Sequence, residues 1–332
     1  MKAKALRIGI VGTSSIAHQL ASAARQSKEI LLHSVYSRTE ESGRAFADVE
    51  GIPHIFCDYG SFLSDAELDA VYIASPNALH APQALSALRC GKHVLLEKPV
   101  TSSLAEFRRL RAEAEARGLV LMEGMRPLHD PAFGIIRESI GRLGRIRRVD
   151  FEFCQYSSRY DRFLSGELPN AFDPTLSNAA VMDIGVYPIS LLVALFGEPS
   201  SVASSSLFLE SGFEGAGELI CRYPDMLATV SYSKISESVA PSVVTGEGGS
   251  LTVDRINSPR RLTLSLRGEP SVTLAYEPSE NNMIFELTDF VRAVRGEISE
   301  KPYSDVTEKT MELLDTVRRQ NGIVFPSDEI PL

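Results

Sequence analysis

The chain has 332 residues, and 44% of them are hydrophobic. It is therefore too long for one typical domain and too apolar for a disordered protein. Its 34 Lys and Arg residues against 43 Asp and Glu residues give a formal net charge of −9, which argues against a nucleic-acid-binding protein. No apolar run reaches the ~18 residues of a membrane-spanning helix and the start shows no signal-peptide pattern, so we expect a soluble, unprocessed chain without a membrane partner.

Short β-rich runs alternate with helical patterns in the N-terminal part, which predicts a parallel sheet covered by helices on both faces. The predicted strands are Leu6–Val11, Ile30–Ser37, Pro53–Phe56, Ala70–Ala74, His93–Glu97 and Leu119–Met122. The predicted helices are Ile16–Ser27, Glu40–Val49, Pro82–Cys90 and Leu104–Arg117. Because parallel strands need such helical crossovers, residues 1–124 are predicted to form a doubly wound α/β domain.

The loop between the first predicted strand and helix is Gly12-Thr13-Ser14-Ser15-Ile16-Ala17. It matches the dinucleotide-binding fingerprint at its first glycine and its last small residue, with Ser14 in place of the second glycine. Backbone N–H groups at the start of a helix carry partial positive charge, which suits a pyrophosphate. We therefore expect the residues from Gly12 to Ile16 to bind a dinucleotide in a Rossmann domain; the alternative is an ordinary strand-to-helix turn.

The second predicted strand ends in Tyr36-Ser37-Arg38, where a cofactor with a free ribose 2′-hydroxyl usually meets Asp or Glu. The Ser37 hydroxyl and the Arg38 guanidinium instead suit a 2′-phosphate, because a guanidinium forms paired, charge-assisted hydrogen bonds with it. We therefore expect NADP(H) to be preferred over NAD(H), although Glu40 and Glu41 follow closely. The alternative for Arg38 is a solvated surface charge.

Residues 125–332 show a different pattern, in which one helix precedes short alternating strands joined by turn dipeptides such as Pro224-Asp225. The predicted helix is Ala132–Ile140, and the predicted strands are Arg145–Tyr156, Ser200–Glu210, Gly217–Tyr223, Met226–Ser233, Ser242–Thr245, Ser250–Asp254, Arg261–Leu266 and Ser271–Tyr276. Two further helices, Asn282–Arg295 and Asp305–Gln320, can pack on this sheet or return to the first domain. We predict an α+β substrate-binding and oligomerisation domain on an open, largely antiparallel sheet.

Two polar segments follow the fourth and fifth predicted strands, Ser75-Pro76-Asn77-Ala78-Leu79-His80 and Glu97-Lys98-Pro99. Both stand at strand carboxyl ends, where open α/β sheets bind ligands. With the phosphate loop and the string Gly91-Lys92-His93-Val94-Leu95-Leu96-Glu97-Lys98-Pro99, they resemble the Gfo/Idh/MocA family of oxidoreductases, which includes glucose-fructose oxidoreductases, inositol dehydrogenases and dimeric dihydrodiol dehydrogenases. The resemblance implies cofactor contacts from Ser75, Asn77, His80, Glu97 and Lys98, and a cis Lys98-Pro99 bond.

The resemblance extends to Asp183-Ile184-Gly185-Val186-Tyr187, which is similar to the family's Asp-x-Gly-x-(His/Tyr) segment. In a helix, side chains at i and i+4 emerge on one face, so Asp183 and Tyr187 can address one cavity. Hydride transfer at a carbinol carbon needs a proton donor and a stabilised alkoxide. We expect Lys98 to bind the reacting oxygen, Tyr187 to exchange the proton, and Asp183 to orient the substrate or balance the lysine charge. Alternatively, Lys98 transfers the proton itself.

The predicted activity is hydride transfer to or from a sugar, polyol or related hydroxy/keto compound, with Lys98 and Tyr187 supplied by different domains. Lys98, Asp183 and Tyr187 are also substrate-binding candidates, alongside Arg126 and Tyr156. The bland alternatives are a surface lysine, a helix-start aspartate and a core tyrosine. Two other functions stay open: a non-enzymatic nucleotide-binding sensor or regulator, and a protein that uses its cofactor as a transient oxidant in glycoside elimination.

Three further expectations concern compartment, metal and assembly. The widely spaced cysteines, with no CxxC pair, favour a reduced cytoplasmic setting; they are Cys57, Cys90, Cys154 and Cys221. The six histidines show neither HxH nor HxxxH spacing, so no metal site is predicted. An open sheet leaves an apolar face that needs cover, which predicts a homo-oligomer, most simply a dimer.

Overall fold

The computed structural model describes residues 4–328, which form two compact units. The first unit contains residues up to 125 together with 281–305, and the second contains 126–280 and the residues from 306 onward. Residues 1–3 and 329–332 lie outside the described part. The first of these segments belongs to the start that we expect to be unprocessed, and the second is the end of the predicted second domain.

The first unit contains a sheet of six strands. They are β1 (Leu6–Val11), β2 (Ile30–Tyr36), β3 (His54–Phe56), β4 (Ala70–Ile73), β5 (His93–Glu97) and β6 (Leu121–Gly124). Their order is β3-β2-β1-β4-β5-β6, and every neighbouring pair is parallel. The order reverses between β1 and β4, which creates a ligand-binding crevice at the carboxyl edge of such sheets. The predicted Rossmann sheet is therefore confirmed.

Helices connect these strands and also pack elsewhere in both units. They are α1 (Ser15–Ala24), α2 (Glu40–Glu50), α3 (Tyr59–Leu63), α4 (His80–Arg89), α5 (Leu104–Arg117), α6 (Arg126–His129), α7 (Pro131–Ile140), α8 (Tyr160–Leu164), α9 (Val186–Phe196), α10 (Met283–Val294) and α11 (Lys301–Asn321). Short 3-10 turns span Asn77–Leu79, Asn170–Phe172, Pro174–Leu176 and Pro326–Asp328, and a π turn spans Val181–Gly185. No helix within residues 4–328 is long and apolar enough to cross a membrane.

Three features of the first unit differ from the sequence-based expectation or go beyond it. β6 begins two residues later than predicted, because Gly118 ends α5 in the left-handed conformation and the Leu119 N–H still donates to Ala114 O (2.9 Å). The short helix α3 was not predicted; the Asp58 carboxylate caps it by accepting the Ser61 N–H (2.8 Å). Helix α10, whose place the sequence left open, packs against α1.

The second unit contains a sheet of eight strands. They are β7 (Ile146–Cys154), β8 (Ser201–Phe208), β9 (Glu214–Arg222), β10 (Leu227–Ser233), β11 (Ser242–Gly246), β12 (Gly249–Val253), β13 (Leu262–Leu266) and β14 (Val272–Thr273). The order is β14-β13-β12-β11-β7-β10-β9-β8. All pairs are antiparallel except β7 with β10, which is parallel. The long connection between those two strands supplies the crossover that a parallel pair requires. The open, largely antiparallel sheet is confirmed.

Candidate active site

The predicted cofactor-binding residues of the first unit lie along one edge of its sheet. β2, β1, β4 and β5 are consecutive neighbours, and the candidate segments directly follow these strands. The segments are Gly12–Ile16, Ser37 with Arg38, Ser75–His80, and Glu97 with Lys98. Because parallel strands end at the same side of a sheet, the topology brings these segments to the crevice at the strand-order reversal.

The loop after β1 has the geometry that a phosphate group requires. Gly12 has a φ of +101°, and a Cβ atom there would lie 3.0 Å from the Ala74 carbonyl oxygen, so only glycine fits. Ser14 is the N-cap of α1, yet its exposed side chain makes no capping hydrogen bond. The first-turn N–H groups of a helix have no helical partner. The loop therefore offers backbone donors and a hydroxyl to an anion, which fits the pyrophosphate of a dinucleotide.

The residues after β2 leave one exposed positive charge at the same edge. Ser37 is buried, and its hydroxyl lies 2.6 Å from that of Ser42. Arg38 is exposed, and no carboxylate of residues 4–328 forms an ion pair with it. Glu40, the nearest acidic residue in sequence, pairs instead with Arg44 (2.8 Å). The Arg38 guanidinium thus has the charge and accessibility that a 2′-phosphate requires.

His80 ties together the two polar segments after β4 and β5. Its ring is 1% exposed, and the two ring nitrogens lie 2.9 Å from Pro99 O and 2.9 Å from Ser75 O. Burial lowers the pKa of His80 although both carbonyls oppose that change, so the neutral ring donates to one carbonyl at a time. The Lys98-Pro99 peptide bond is cis, as the resemblance implied.

The carboxylate of Glu97 is buried and holds the end of β5. It accepts a hydrogen bond from the Tyr72 hydroxyl (2.6 Å) and one from the Lys98 N–H (3.2 Å). Lys98 itself is half-buried at the point where β5 ends. These contacts fix the backbone from which the Lys98 side chain projects, so Glu97 supports the lysine from within the first unit.

Asp183 and Tyr187 lie where the π turn of the second unit continues into α9. Asp183 belongs to the π turn, and Tyr187 is the second residue of α9. Pro188 follows at the third position, and a π turn just before a proline is an irregularity typical of functional helices. The Tyr187 ring packs edge-on against Phe153 of β7, with ring centroids 5.5 Å apart.

Lys234 is a residue of this site that the sequence analysis missed. Its Nζ lies 2.8 Å from the Asp183 carboxylate, and its side chain is only 2% exposed. A signal for it existed: the alternation that buries Val230 and Tyr232 in β10 places Lys234, one step further, on the same buried face. A lysine continuing a buried face suggests a partner of opposite charge.

A second buried group, Glu214 of β9, anchors the start of the π turn. Its carboxylate accepts hydrogen bonds from the Val181 N–H (2.9 Å), the Tyr232 hydroxyl (2.8 Å) and the Ser206 hydroxyl (3.2 Å). Burial raises the pKa of Glu214 to about 7 despite these donors. Gly185 lets the turn approach Tyr232 closely, since a Cβ atom there would lie 3.1 Å from the ring.

The remaining substrate-binding candidates of the second unit lie at its surface or near it. Arg126 begins α6 and is half-buried. Tyr156 is 41% exposed, and its hydroxyl donates to Asp161 (2.6 Å), an interaction that raises the pKa of this phenol. Within residues 4–328, no group of three or more His, Cys, Asp or Glu side chains is placed to hold a metal ion.

Comparison with known families gives two matches along the chain. A family model described as an oxidoreductase family with an NAD-binding Rossmann fold matches residues 6–125. A second model, the GFO/IDH/MocA C-terminal domain, matches residues 138–252. Together these matches cover more than half of the chain and include parts of both units.

Two curated relatives match over nearly their whole length. The chain is 38% identical over 326 residues to scyllo-inositol 2-dehydrogenase (NADP(+)) of Bacillus subtilis, covering 98% of this chain and 99% of that one. It is 37% identical over 327 residues to an uncharacterized oxidoreductase of Escherichia coli, covering 98% and 100%. Among solved structures, a 3-ketoreductase from Actinomadura kijaniata, crystallised with NADP and TDP-benzene, has the same fold, with a TM-score of 0.84, 23% identity and coverage of 96% and 98%.

Proposed function

The chain belongs to the Gfo/Idh/MocA family of NAD(P)-dependent oxidoreductases, and from this we propose that it transfers a hydride between NADP(H) and a sugar, cyclic polyol or related hydroxy/keto compound. The observation that carries the proposal is the open phosphate loop at Gly12 together with Lys98 at the end of β5. The inositol dehydrogenase relative supports a cyclic polyol as the first substrate class to test.

We assign cofactor binding to residues 1–124 and the substrate side to residues 125–332. The loop from Gly12 to Ile16 holds the pyrophosphate through its backbone donors. Ser37 and Arg38 hold the 2′-phosphate, which gives the preference for NADP(H) over NAD(H). Ser75, Asn77 and His80 shape the adjacent wall. When bound, the nicotinamide supplies or accepts the hydride.

Lys98, Tyr187 and Asp183 handle the oxygen and its proton in this proposal. The Lys98 ammonium donates a hydrogen bond to the reacting oxygen and stabilises negative charge as it develops there. The Tyr187 hydroxyl gives a proton to that oxygen in reduction and takes it in oxidation. Asp183 orients the substrate, with Arg126 and Tyr156 as further contacts.

A spectrophotometric assay tests the proposal directly. We expect scyllo-inositol, or another member of a panel of inositols, aldoses and dihydrodiols, to reduce NADP+ faster than NAD+, measured as absorbance of the reduced nicotinamide. Lys98→Met should lose turnover, whereas NADPH binding should fall far less, because Lys98 is one of several proposed cofactor contacts. Full activity of that variant would refute the assigned chemistry. Tight NADPH binding without turnover on any substrate would favour the sensor, and cofactor cycling without net consumption would favour glycoside elimination.

We further propose that the protein works as a cytoplasmic homodimer. Large apolar side chains stand exposed on one face of the second-unit sheet, where Leu207 is 57%, Ile220 54% and Leu227 54% exposed. All four cysteines are free, which fits a reducing compartment. Light scattering at micromolar concentration should give twice the monomer mass, and Leu227→Lys should lower it. A monomeric wild type would contradict the assembly.

A further inference from the structure

Lys234 holds its charge in a nearly closed pocket of the second unit. Its Nζ donates to Ala171 O (2.6 Å) and to Asp183 Oδ2 (2.8 Å). It also lies 4.9 Å from the ring centroid of Phe172 and 5.5 Å from that of Phe213. The ammonium therefore has two oxygen acceptors and lies over two aromatic rings.

The backbone around Lys234 gives this ammonium a fixed position. The Lys234 N–H donates to Gly215 O (2.9 Å), and the Lys234 carbonyl accepts from the Ser157 N–H (2.9 Å). These bonds tie the residue to the start of β9 and to the segment that follows β7. A long side chain anchored at one end and enclosed along its length has few rotamers left. The ammonium is thus preorganised for one carboxylate.

Burial of a charge in this way is unfavourable unless the pair is well made. Desolvating an ammonium is costly, and only a close, hydrogen-bonded partner offsets the loss of water. Asp183 is the partner, and its side chain remains 30% exposed, whereas that of Lys234 is 2% exposed. The cation of this ion pair is therefore buried, whereas its carboxylate is still partly exposed at the surface. This asymmetry suits a carboxylate that must be held for a ligand.

We propose that Lys234 is a positioning residue for the reaction: it holds the Asp183 carboxylate ionised and fixed on the π turn, four residues before Tyr187. The inference rests on the proposed function, because it assigns Lys234 to the site that contains Asp183. Lys234 acts through Asp183 and has no contact with the reacting atoms. Removing its charge should therefore change how Asp183 ionises and orients substrate, and leave cofactor binding unchanged.

Other ionisable groups face the same π turn, and the experiment must separate them. Glu214 of β9 and Tyr232 of β10 lie beneath the turn and bind each other, and Tyr187 follows on α9. Their contribution to a pH profile is identified with Glu214→Gln, which retains a polar group of the same shape without the carboxyl titration. A change seen in Lys234→Met and absent from Glu214→Gln belongs to the ion pair.

Steady-state kinetics with scyllo-inositol and NADP+ give the first test. A hydrogen bond between charged groups contributes enough that its loss in Lys234→Met should lower kcat/KM for the polyol on the order of 10- to 100-fold. The acid limb of its pH profile should move to higher pH, because a carboxylate without its cation takes up a proton more readily. Lys234→Arg should recover part of the activity. The dissociation constant of NADPH should not change.

A matched control and a double variant distinguish positioning from a structural role. Lys309→Met removes a lysine of the same unit that pairs with exposed Glu198 (3.3 Å), and it should leave the profile unchanged. If Lys234 acts through Asp183, Lys234→Met combined with Asp183→Asn should be no slower than Asp183→Asn alone. Multiplied losses in the double variant, or an acid limb unmoved in folded Lys234→Met, would overturn the proposal.

A measurement that needs no turnover tests whether Lys234 keeps Asp183 ionised, even if no substrate is found. Wild-type protein labelled with ¹³C at the Asp carboxyl carbons is titrated by NMR, and Asp183→Asn assigns the Asp183 signal. We expect its midpoint to lie higher in Lys234→Met by on the order of one pH unit and to return towards wild type in Lys234→Arg. An unchanged midpoint in both variants refutes the inference. Absence of turnover with a shifted midpoint refutes only the proposed substrate chemistry.

Discussion

Replacement of Glu214 by Gln tests the structure beneath the π turn through the pH dependence of stability. Glu214 is 2% exposed, and its carboxyl accepts three hydrogen bonds, one of them from the Val181 N–H that begins the turn. A Gln side chain keeps an oxygen for Val181. Its amide can donate to the oxygens of Tyr232 and Ser206, whose hydroxyls rotate. The variant therefore mimics the protonated carboxyl at every pH.

The expected magnitude follows from the position of the Glu214 pKa. Burial raises it from an ordinary value of 4.5 to about 7. Because the folded state binds this proton more tightly than the unfolded state, the associated stability is complete below pH 4.5 and is lost as pH rises through about 7. At about 1.4 kcal/mol per pH unit, the difference corresponds to about 3 kcal/mol of unfolding free energy.

Denaturant unfolding between pH 5 and pH 8, followed by circular dichroism because the chain has no Trp, measures this effect. We expect Glu214→Gln to gain stability relative to wild type as pH rises, with most of the gain reached by pH 8. Glu218→Gln, at an exposed position of the same strand, is the matched control and should follow the wild type. Parallel pH profiles for wild type and Glu214→Gln would refute the reasoning.

Three other substitutions test separate parts of the two units. Arg38→Ala should weaken NADPH binding roughly 10- to 100-fold and leave NADH binding unchanged, measured by nucleotide fluorescence; equal losses would exclude a 2′-phosphate contact. Gly185→Ala puts a Cβ atom 3.1 Å from the buried Tyr232 ring and should destabilise by about 1–3 kcal/mol, whereas Gly134→Ala, in open space on α7, should stabilise; denaturant midpoints in the reverse order would contradict the packing argument. Tyr187→Phe should lower kcat by about 10²- to 10⁴-fold with little effect on NADPH binding, and unchanged kcat would remove the hydroxyl from the mechanism.

Local sequence signals predicted the first unit well where a single residue determines an element's end. α5 has its predicted bounds because Ser103 caps it by accepting the Glu106 N–H and Gly118 ends it in the left-handed conformation. The polar segments after β4 and β5 were predicted to share one edge of the sheet because parallel topology alone decides this. At Leu119 two local signals overlap, because this apolar residue fits a strand but its N–H still bonds to helix α5. The observed start of β6 is therefore two residues later than the predicted one.

The second unit shows what a one-dimensional pattern does not contain. The parallel pairing of β7 with β10 joins segments about seventy residues apart, and neither strand carries a mark of its partner's direction. The sequence does not distinguish the π turn from helix α9, because both segments are mostly apolar. The pairing of Lys234 with Asp183 depends on tertiary packing, since the two residues are far apart in the sequence. The alternation along β10 predicts that Lys234 is buried. It does not predict which carboxylate pairs with Lys234, because that depends on how the π turn packs against the sheet.

The location of the buried charges supports the assignment of the π turn as the site of substrate chemistry. Stability alone does not require a charge at Lys234, because well-packed apolar residues in place of a buried ion pair are often as stable or more so. Glu214 is unfavourable in its ionised form for the same reason, yet it holds the Val181 N–H at the start of the turn. A buried, paired cation and a buried carboxyl group thus support one short segment, and that segment carries Asp183 and leads directly into Tyr187. This arrangement is the one expected if the turn has to hold the Asp183 carboxylate at a defined position, as proposed above.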